Sequence, residues 1–172
     1  MSGDAGRGRE LVYDAVLYGL GAVLGELAKS PVGARLAEEL HKGFGRHMAD
    51  YLRHKGIRYE RDGAPEEVVG SVVKAFLESL DFADLEKTEP TEDRGIHGVW
   101  RGIVGLAAYA ELLRSYPDPF LSCPLNAVIR YELGRAGHTL KVHGATADPE
   151  ANLLESWEEV LPGKTEFLKA GE

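Results

Sequence analysis

Apolar residues return every three or four positions between Leu11 and Ala28. This spacing predicts a first helix over that range, mostly apolar around its circumference. Gly21 and Gly25 stand one turn apart on a shared face, a small-xxx-small pattern that lets a second backbone approach closely. That backbone belongs either to the same chain or to a second copy. The first ten residues, rich in glycine and charge, are expected to be frayed.

Two further helices are predicted from their start signals. Ser30-Pro31 supplies a hydroxyl that can cap backbone amides and a proline suited to the first turn, so we expect a helix over about 32–55, ended by Gly56. Pro65-Glu66-Glu67 places two carboxylates where the helix dipole favours negative charge. A third helix is therefore expected from Pro65 to Leu80.

After Asp81 the pattern changes to short apolar runs separated by turns. Two antiparallel strands are predicted around a polar turn at 89–95, the first carrying Phe82 and Leu85 and the second reaching Trp100. The remaining predicted elements are a helix over 102–114, a helix from Pro124 to Gly134 or Gly137, a strand over 139–143, a turn at Asp148-Pro149 and a strand over 153–161.

This order predicts an α+β fold, with helices packed on one face of a small antiparallel sheet, because no strand–helix crossover repeats along the chain. We expect a single domain. Its N-terminal helices, over 1–64, are a candidate dimerisation element, and 65–161 forms the ligand-binding part. Residues 162–172 are expected to be a tail.

Composition narrows the classes of partner. The chain of 172 residues has 28 acidic and 20 basic residues, a net charge of −8, which argues against a nucleic acid or an anionic membrane as the main partner. The single cysteine, Cys123, forms no internal disulfide and suits a reducing compartment, so we expect a cytoplasmic protein. Asp14 and Glu26 interrupt the apolar N-terminal stretch, which we interpret as a buried helix and not a membrane span.

Several residues could carry metal or thiol chemistry. His47, Asp50 and His54 share one face of the second helix and could hold a divalent metal, although a solvated face is the favoured interpretation. Cys123 stands at a helix start, where the dipole favours a thiolate; the alternative is a small buried apolar residue. His138 and His143 flank a strand and, five residues apart, should point to opposite faces of it.

No catalytic set can be assembled from the sequence. It contains no Gly-x-Ser-x-Gly elbow, phosphate-binding loop, dinucleotide-binding glycine motif or His-Glu-x-x-His motif. The adjacent pairs Glu38-Glu39, Glu66-Glu67 and Glu158-Glu159 are interpreted as solvated faces. We therefore expect a protein that is not an enzyme.

Two segments in the second half carry a family pattern. A helix opens with Cys123-Pro124, and a strand leads into the turn Asp148-Pro149. Over about 65–161 the chain resembles the vinyl-4-reductase domain family, also called hydrocarbon-binding proteins, which shares its fold with vesicle-tethering TRAPP subunits. Many members carry Cys-x3-Gly-Asp-Pro-x-Cys at this turn. His143 and Ala151 stand at the two cysteine positions here.

The resemblance implies a ligand-sensing domain for a small hydrophobic or aromatic molecule, with zinc held by the cysteines in some members. Here a zinc site would use Cys123 with His143 or His138, and no cofactor is firmly predicted. The leading prediction is a non-catalytic binding or regulatory module whose pocket is lined by a set of apolar side chains: Trp100, Phe120, Leu125, Val128 and Ile129. The alternatives are a homodimeric scaffold, which pairs through the first helix, and a metal-binding protein or metal-dependent enzyme.

Overall fold

Five α-helices and a four-stranded antiparallel sheet make up the described part of the chain, which comprises residues 3–91, 95–116 and 118–163 of a computed structural model. The α+β prediction is confirmed. In chain order the elements are α1 (Gly3–Ala28), α2 (Pro31–His54), α3 (Pro65–Leu80), β1 (Asp84–Pro90), β2 (Ile96–Arg101), α4 (Leu106–Leu113), a short 3-10 helix (Pro119–Ser122), α5 (Pro124–Arg135), β3 (His138–Asp148) and β4 (Leu153–Pro162).

The predicted start signals act as expected. The Ser30 hydroxyl accepts a hydrogen bond from the Gly33 amide at 3.1 Å and caps α2. The Glu67 carboxylate accepts from the Ala64 amide at 3.0 Å at the start of α3. Prolines occupy the first turns of both helices and of α5. Local capping chemistry therefore sets these three boundaries.

Other boundaries differ from the prediction. Helix α1 begins at Gly3 and not near Leu11. Helix α4 begins at Leu106 and not at 102, because Gly102 and Gly105 take φ values of +60° and +91° that a helix cannot contain. The sequence pattern did not predict the 3-10 helix. Strand β3 continues to the Asp148 turn, well beyond 143, and of the predicted tail only 162 and 163 lie within the described residues.

The four strands lie in the order β1-β2-β4-β3, all antiparallel. Alternate residues face the helices: Leu154 and Ser156 on β4 are buried, as is Leu140 on β3. Helix α5 packs against β3 and also against α2 and α3. One face of the sheet is therefore covered by helices, and α5 is the central element of that layer.

The N-terminal helices share the core with the rest of the chain. Gly45 of α2 lies against α5 so closely that a Cβ there would be 2.3 Å from the carbonyl oxygen of Ala127. Gly21 and Gly25 of α1 likewise face inward, toward Leu112 and Tyr116. The glycine face of α1 therefore packs within the chain, which is the first of the two alternatives that the sequence left open.

The opposite face of α1 remains apolar and exposed, with Leu11, Val12 and Val16 each more than 60% exposed. Residues Gly8–Ala28 form the one helical stretch in the described chain that is long and apolar enough to cross a membrane, with a mean hydropathy of 1.5. Core helices can also pass this criterion, and Leu17 and Leu24 are buried against the domain at 3% and 2% exposure. Helix α1 is thus buried along one side and apolar along the other.

Candidate functional site

A cavity of about 610 Å³ lies between α3, α5 and the inner face of the sheet. Its size falls within the range usual for small-molecule sites, roughly 300–1,000 Å³. Most of its wall is apolar, and its polar residues lie either around Glu158 or at the rim. Because α3 packs against α5 and not onto β1, the cavity extends to the rim between α3 and the sheet edge.

Four of the five residues proposed from the sequence as pocket residues line this cavity: Trp100, Phe120, Leu125 and Ile129. Leu125 and Ile129 are one helical turn apart on α5 and therefore present one stripe to the cavity. Val128, fully buried, belongs to the packed core and is not among the lining residues.

Helix α3 supplies the opposite wall, which the sequence analysis did not assign to the pocket. Val69, Val73 and Leu77 recur at four-residue spacing and all line the cavity. Their partial burial distinguishes them from Val72 and Phe76 on the neighbouring stripe, which are buried in the core. The helical spacing was visible in the sequence, but it does not say which stripe faces a core and which a cavity.

One end of the cavity is polar. Glu158 of β4 and Asn126 of α5 line it together, and the Asn126 amide donates a long hydrogen bond of 3.5 Å to the Glu158 carboxylate. The Oδ1 atom of Asn126 is buried and has no hydrogen-bond partner among the described residues. Beside them Ser156 accepts a hydrogen bond from the Trp100 indole at 3.2 Å.

Burial raises the pKa of Glu158 to about 7, although the nearby positive charge of Arg130 acts in the opposite direction. Arg130 is itself paired with Asp118 at 2.6 Å, and both side chains are largely buried. Behind this pair, burial lowers the pKa of His41 to about 3, assisted by the positive charge of Arg130. Strand alternation explains the error in interpreting Glu158 as solvated, since it and Glu159 point to opposite faces.

The rim of the cavity is acidic. Among the lining residues Glu66 and Glu78 of α3 are exposed acids, and Lys74 is the one positive residue. Glu89 and Glu159 also border the cavity but are paired with Lys87 and His143. Lys74 lies 4.0 Å from Glu78, and both are exposed. An approaching molecule therefore meets a negative rim before it reaches Glu158.

Cys123 also lines the cavity, next to Phe120 and Leu125. Its side chain is 3% exposed, and burial raises the pKa of the thiol. Burial outweighs the helix dipole here, which favours the buried apolar alternative over the thiolate. The residue behaves as a small apolar wall element.

The histidines named in the sequence analysis lie apart from Cys123. His138 contacts the Ala136 carbonyl oxygen at 3.0 Å, and His143, at a bulge in β3, contacts the Glu159 carboxylate at 2.9 Å. Within the described ranges no three histidine, cysteine, aspartate or glutamate side chains come together in a way that could hold a metal ion.

The helical triad on α2 is on the surface. His47, Asp50 and His54 are all exposed. Asp50 pairs with Arg53 one turn along, and His47 lies 3.4 Å from the Arg46 guanidinium. These contacts are those of a solvated helix face.

Comparison of the chain with protein-family models, with curated proteins and with solved structures gives no match in any of the three. The resemblance to the vinyl-4-reductase domain family accordingly rests on the Cys123-Pro124 helix start and the Asp148-Pro149 turn. In the structure Asp148 does form that turn, because its carboxylate accepts hydrogen bonds from the amides of Glu150 and Ala151, each at 3.0 Å.

Proposed function

We propose that this protein is a non-catalytic module that binds a small hydrophobic molecule between α3, α5 and the sheet. The observation that supports it is the cavity of about 610 Å³, whose wall is mainly apolar and in which Asn126, Ser156 and Glu158 form one polar group apart from the charged rim. Protein interiors are otherwise close-packed, so a volume of this size within a small domain favours a binding role. The family resemblance points in the same direction.

The site favours binding over chemistry because Cys123, the one thiol of the chain, lines it as a neutral thiol with a raised pKa. Glu158 and Asn126 can orient a ligand through hydrogen bonds. Neither forms a nucleophile with an adjacent base.

Binding of a neutral fluorescent hydrophobe, N-phenyl-1-naphthylamine, tests the proposal. The purified protein should bind it with saturation, and Val73→Trp should weaken binding by about tenfold or more, because the larger side chain occupies space at the centre of the α3 wall. Native mass spectrometry of gently purified protein would report any co-purified molecule on the same sample.

The matched control is Val16→Trp, which adds the same side chain on the exposed apolar face of α1. It should leave the affinity unchanged if the probe enters the cavity. Equal affinity in wild type and Val73→Trp, or loss only in Val16→Trp, would place the probe on the surface and contradict the proposal.

A second candidate function is a homodimeric scaffold, favoured by the exposed apolar residues of α1 and α2. Leu36 and Leu40 on α2 are each about half exposed, and Leu11, Val12 and Val16 form a more exposed apolar patch on α1. Light scattering coupled to size exclusion should give a dimer for wild type and a monomer for Val12→Asp/Val16→Asp. A wild-type monomer would contradict it, and binding of α1 to neutral lipid vesicles would assign the patch to a membrane instead.

A further inference from the structure

The polar end of the cavity limits what kind of hydrophobic molecule can bind, and this step rests on the proposed function. We propose that the ligand is an amphiphile with a single protonated amine, which binds with its apolar body between α3 and α5 and its ammonium group against Glu158 and Asn126. The site thus selects hydrophobic cations over hydrophobic anions.

The first observation is the pair of acceptors at that end. The Asn126 side chain is 5% exposed, lines the cavity and carries a buried Oδ1 atom with no hydrogen-bond partner in the described part of the chain. A buried acceptor without a hydrogen bond destabilises the structure, so a donor from a ligand would be favoured there. The Glu158 carboxylate, which accepts from the amide of Asn126, has further lone pairs for a second donor.

The second observation is the charge balance behind the cavity. Arg130 does not line the cavity and is paired with Asp118 at 2.6 Å, so it already has a counter-charge. Ionised Glu158 therefore gives this group one uncompensated negative charge. An ammonium group would neutralise it, whereas a carboxylate or phosphate would add to it in a site of low polarity.

The third observation is the acidic rim. At the rim Glu66 and Glu78 outnumber the single Lys74, and Glu89 and Glu159 are already paired with Lys87 and His143. This field raises the local concentration of cations at the entrance and lowers that of anions. The rim and the polar end thus favour the same ligand charge.

Three ligands with one chain length test the inference: decylamine, decanol and decanoate. At a pH of about 8, where Glu158 is ionised, isothermal titration should give decylamine the highest affinity, roughly tenfold or more above decanol, since a charge-assisted hydrogen bond contributes about 1.5–3 kcal/mol. Decanoate should bind more weakly than decanol. Trp157→Phe, which leaves Trp100 at the cavity as the sole tryptophan, provides an independent fluorescence readout.

Glu158→Gln removes the charge and keeps the shape. It should lower decylamine affinity by about tenfold or more and change decanol affinity little. Glu155→Gln, on the same strand but on the opposite face beside His97, should leave both affinities as in wild type. Urea unfolding of each variant establishes that it is folded.

The outcomes separate the two proposals. Binding of none of the three ligands would overturn the proposed function itself. Binding of decanoate or decanol as tightly as decylamine, or an amine preference that persists in Glu158→Gln, would leave the hydrophobic site in place and overturn the cation selectivity.

Discussion

Glu158 and His41 should affect folding stability in opposite directions as the pH changes. The pKa of Glu158 is about 7 in the folded chain against an ordinary value of 4.5, so between these values the folded chain holds a proton that the unfolded chain has lost. Stability from Glu158 is present below pH 4.5 and is lost as the pH rises to 7. The pKa of His41 is about 3 against an ordinary 6.5, so its contribution is present above pH 6.5 and is lost as the pH falls.

The magnitude follows from proton linkage. A difference of one bound proton changes the free energy of unfolding by about 1.4 kcal/mol per pH unit. Near pH 5.5 the folded and unfolded chains differ by nearly one bound proton at each group, which gives about −1 kcal/mol per pH unit from Glu158 and about +1 from His41. The two contributions nearly cancel in wild type. Glu158→Gln should leave stability rising with pH, and His41→Gln should leave it falling.

Urea unfolding followed by circular dichroism, at several pH values between about 5 and 6, measures both slopes. Arg130 and Asp118 face Glu158 and His41 alike, and Cys123 also faces Glu158. Because these neighbours and the background carboxylates remain in both variants, the difference between the two slopes isolates the pair. This difference should reach about 2 kcal/mol per pH unit. Glu150→Gln, in the exposed hairpin turn, should follow wild type, and parallel slopes in the two core variants would refute the assignment of opposite burial effects.

Two further pairs of variants test the packing and the buried charges around α5. Gly43→Ala should stabilise the fold by up to about 1 kcal/mol, because nothing lies within 4 Å of a Cβ there. Gly45→Ala should destabilise it by about 1–3 kcal/mol, because its Cβ would meet the Ala127 carbonyl oxygen. Equal melting temperatures for the two variants would contradict this contact. Glu132→Gln should lower the free energy of unfolding, measured in urea, by about 2–4 kcal/mol, because this fully buried carboxylate accepts from several arginines. The control Glu111→Gln, at the exposed pair with Arg114, should lower it by about 0–1 kcal/mol. Similar losses in both variants would show that the buried network contributes little.

Local chemistry explains why much of the fold could be predicted from the sequence. The starts of α2, α3 and α5 depend on a hydroxyl, a carboxylate and prolines within a few residues, so the signal and its effect lie together in the chain. The start of α4 depends instead on Gly102 and Gly105 taking positive φ values. A glycine permits this conformation but does not require it, and the helix was accordingly predicted to begin too early.

The candidate site was less predictable because its walls come from distant segments. The apolar stripe of α5 was identified, yet Val128 could not be separated from Leu125 and Ile129 without knowing which stripe faces the cavity. In the sequence, the apolar stripe of α3 that contains Val73 cannot be told apart from a stripe that packs into the core. Glu158 stands next to Glu159, so the sequence suggests two solvated carboxylates. Its place in β4 is what directs the Glu158 side chain toward α5.

The distribution of buried charge on α5 suggests how the two walls of the cavity divide their roles. Glu132 is fully buried and contacts Tyr59 at 3.0 Å and Arg61 at 2.9 Å, while Arg130 is paired with Asp118. Loss of either the Glu132 contacts or the Arg130–Asp118 pair would leave a buried charge without its partner. These contacts therefore fix α5 in position on two sides. Helix α3 has no comparable pairing at its cavity side, where Lys74 and Glu78 are exposed. Under the proposed function, ligand entry is expected to proceed by displacement of α3 from the sheet edge, while α5 and the polar group at Glu158 stay in place.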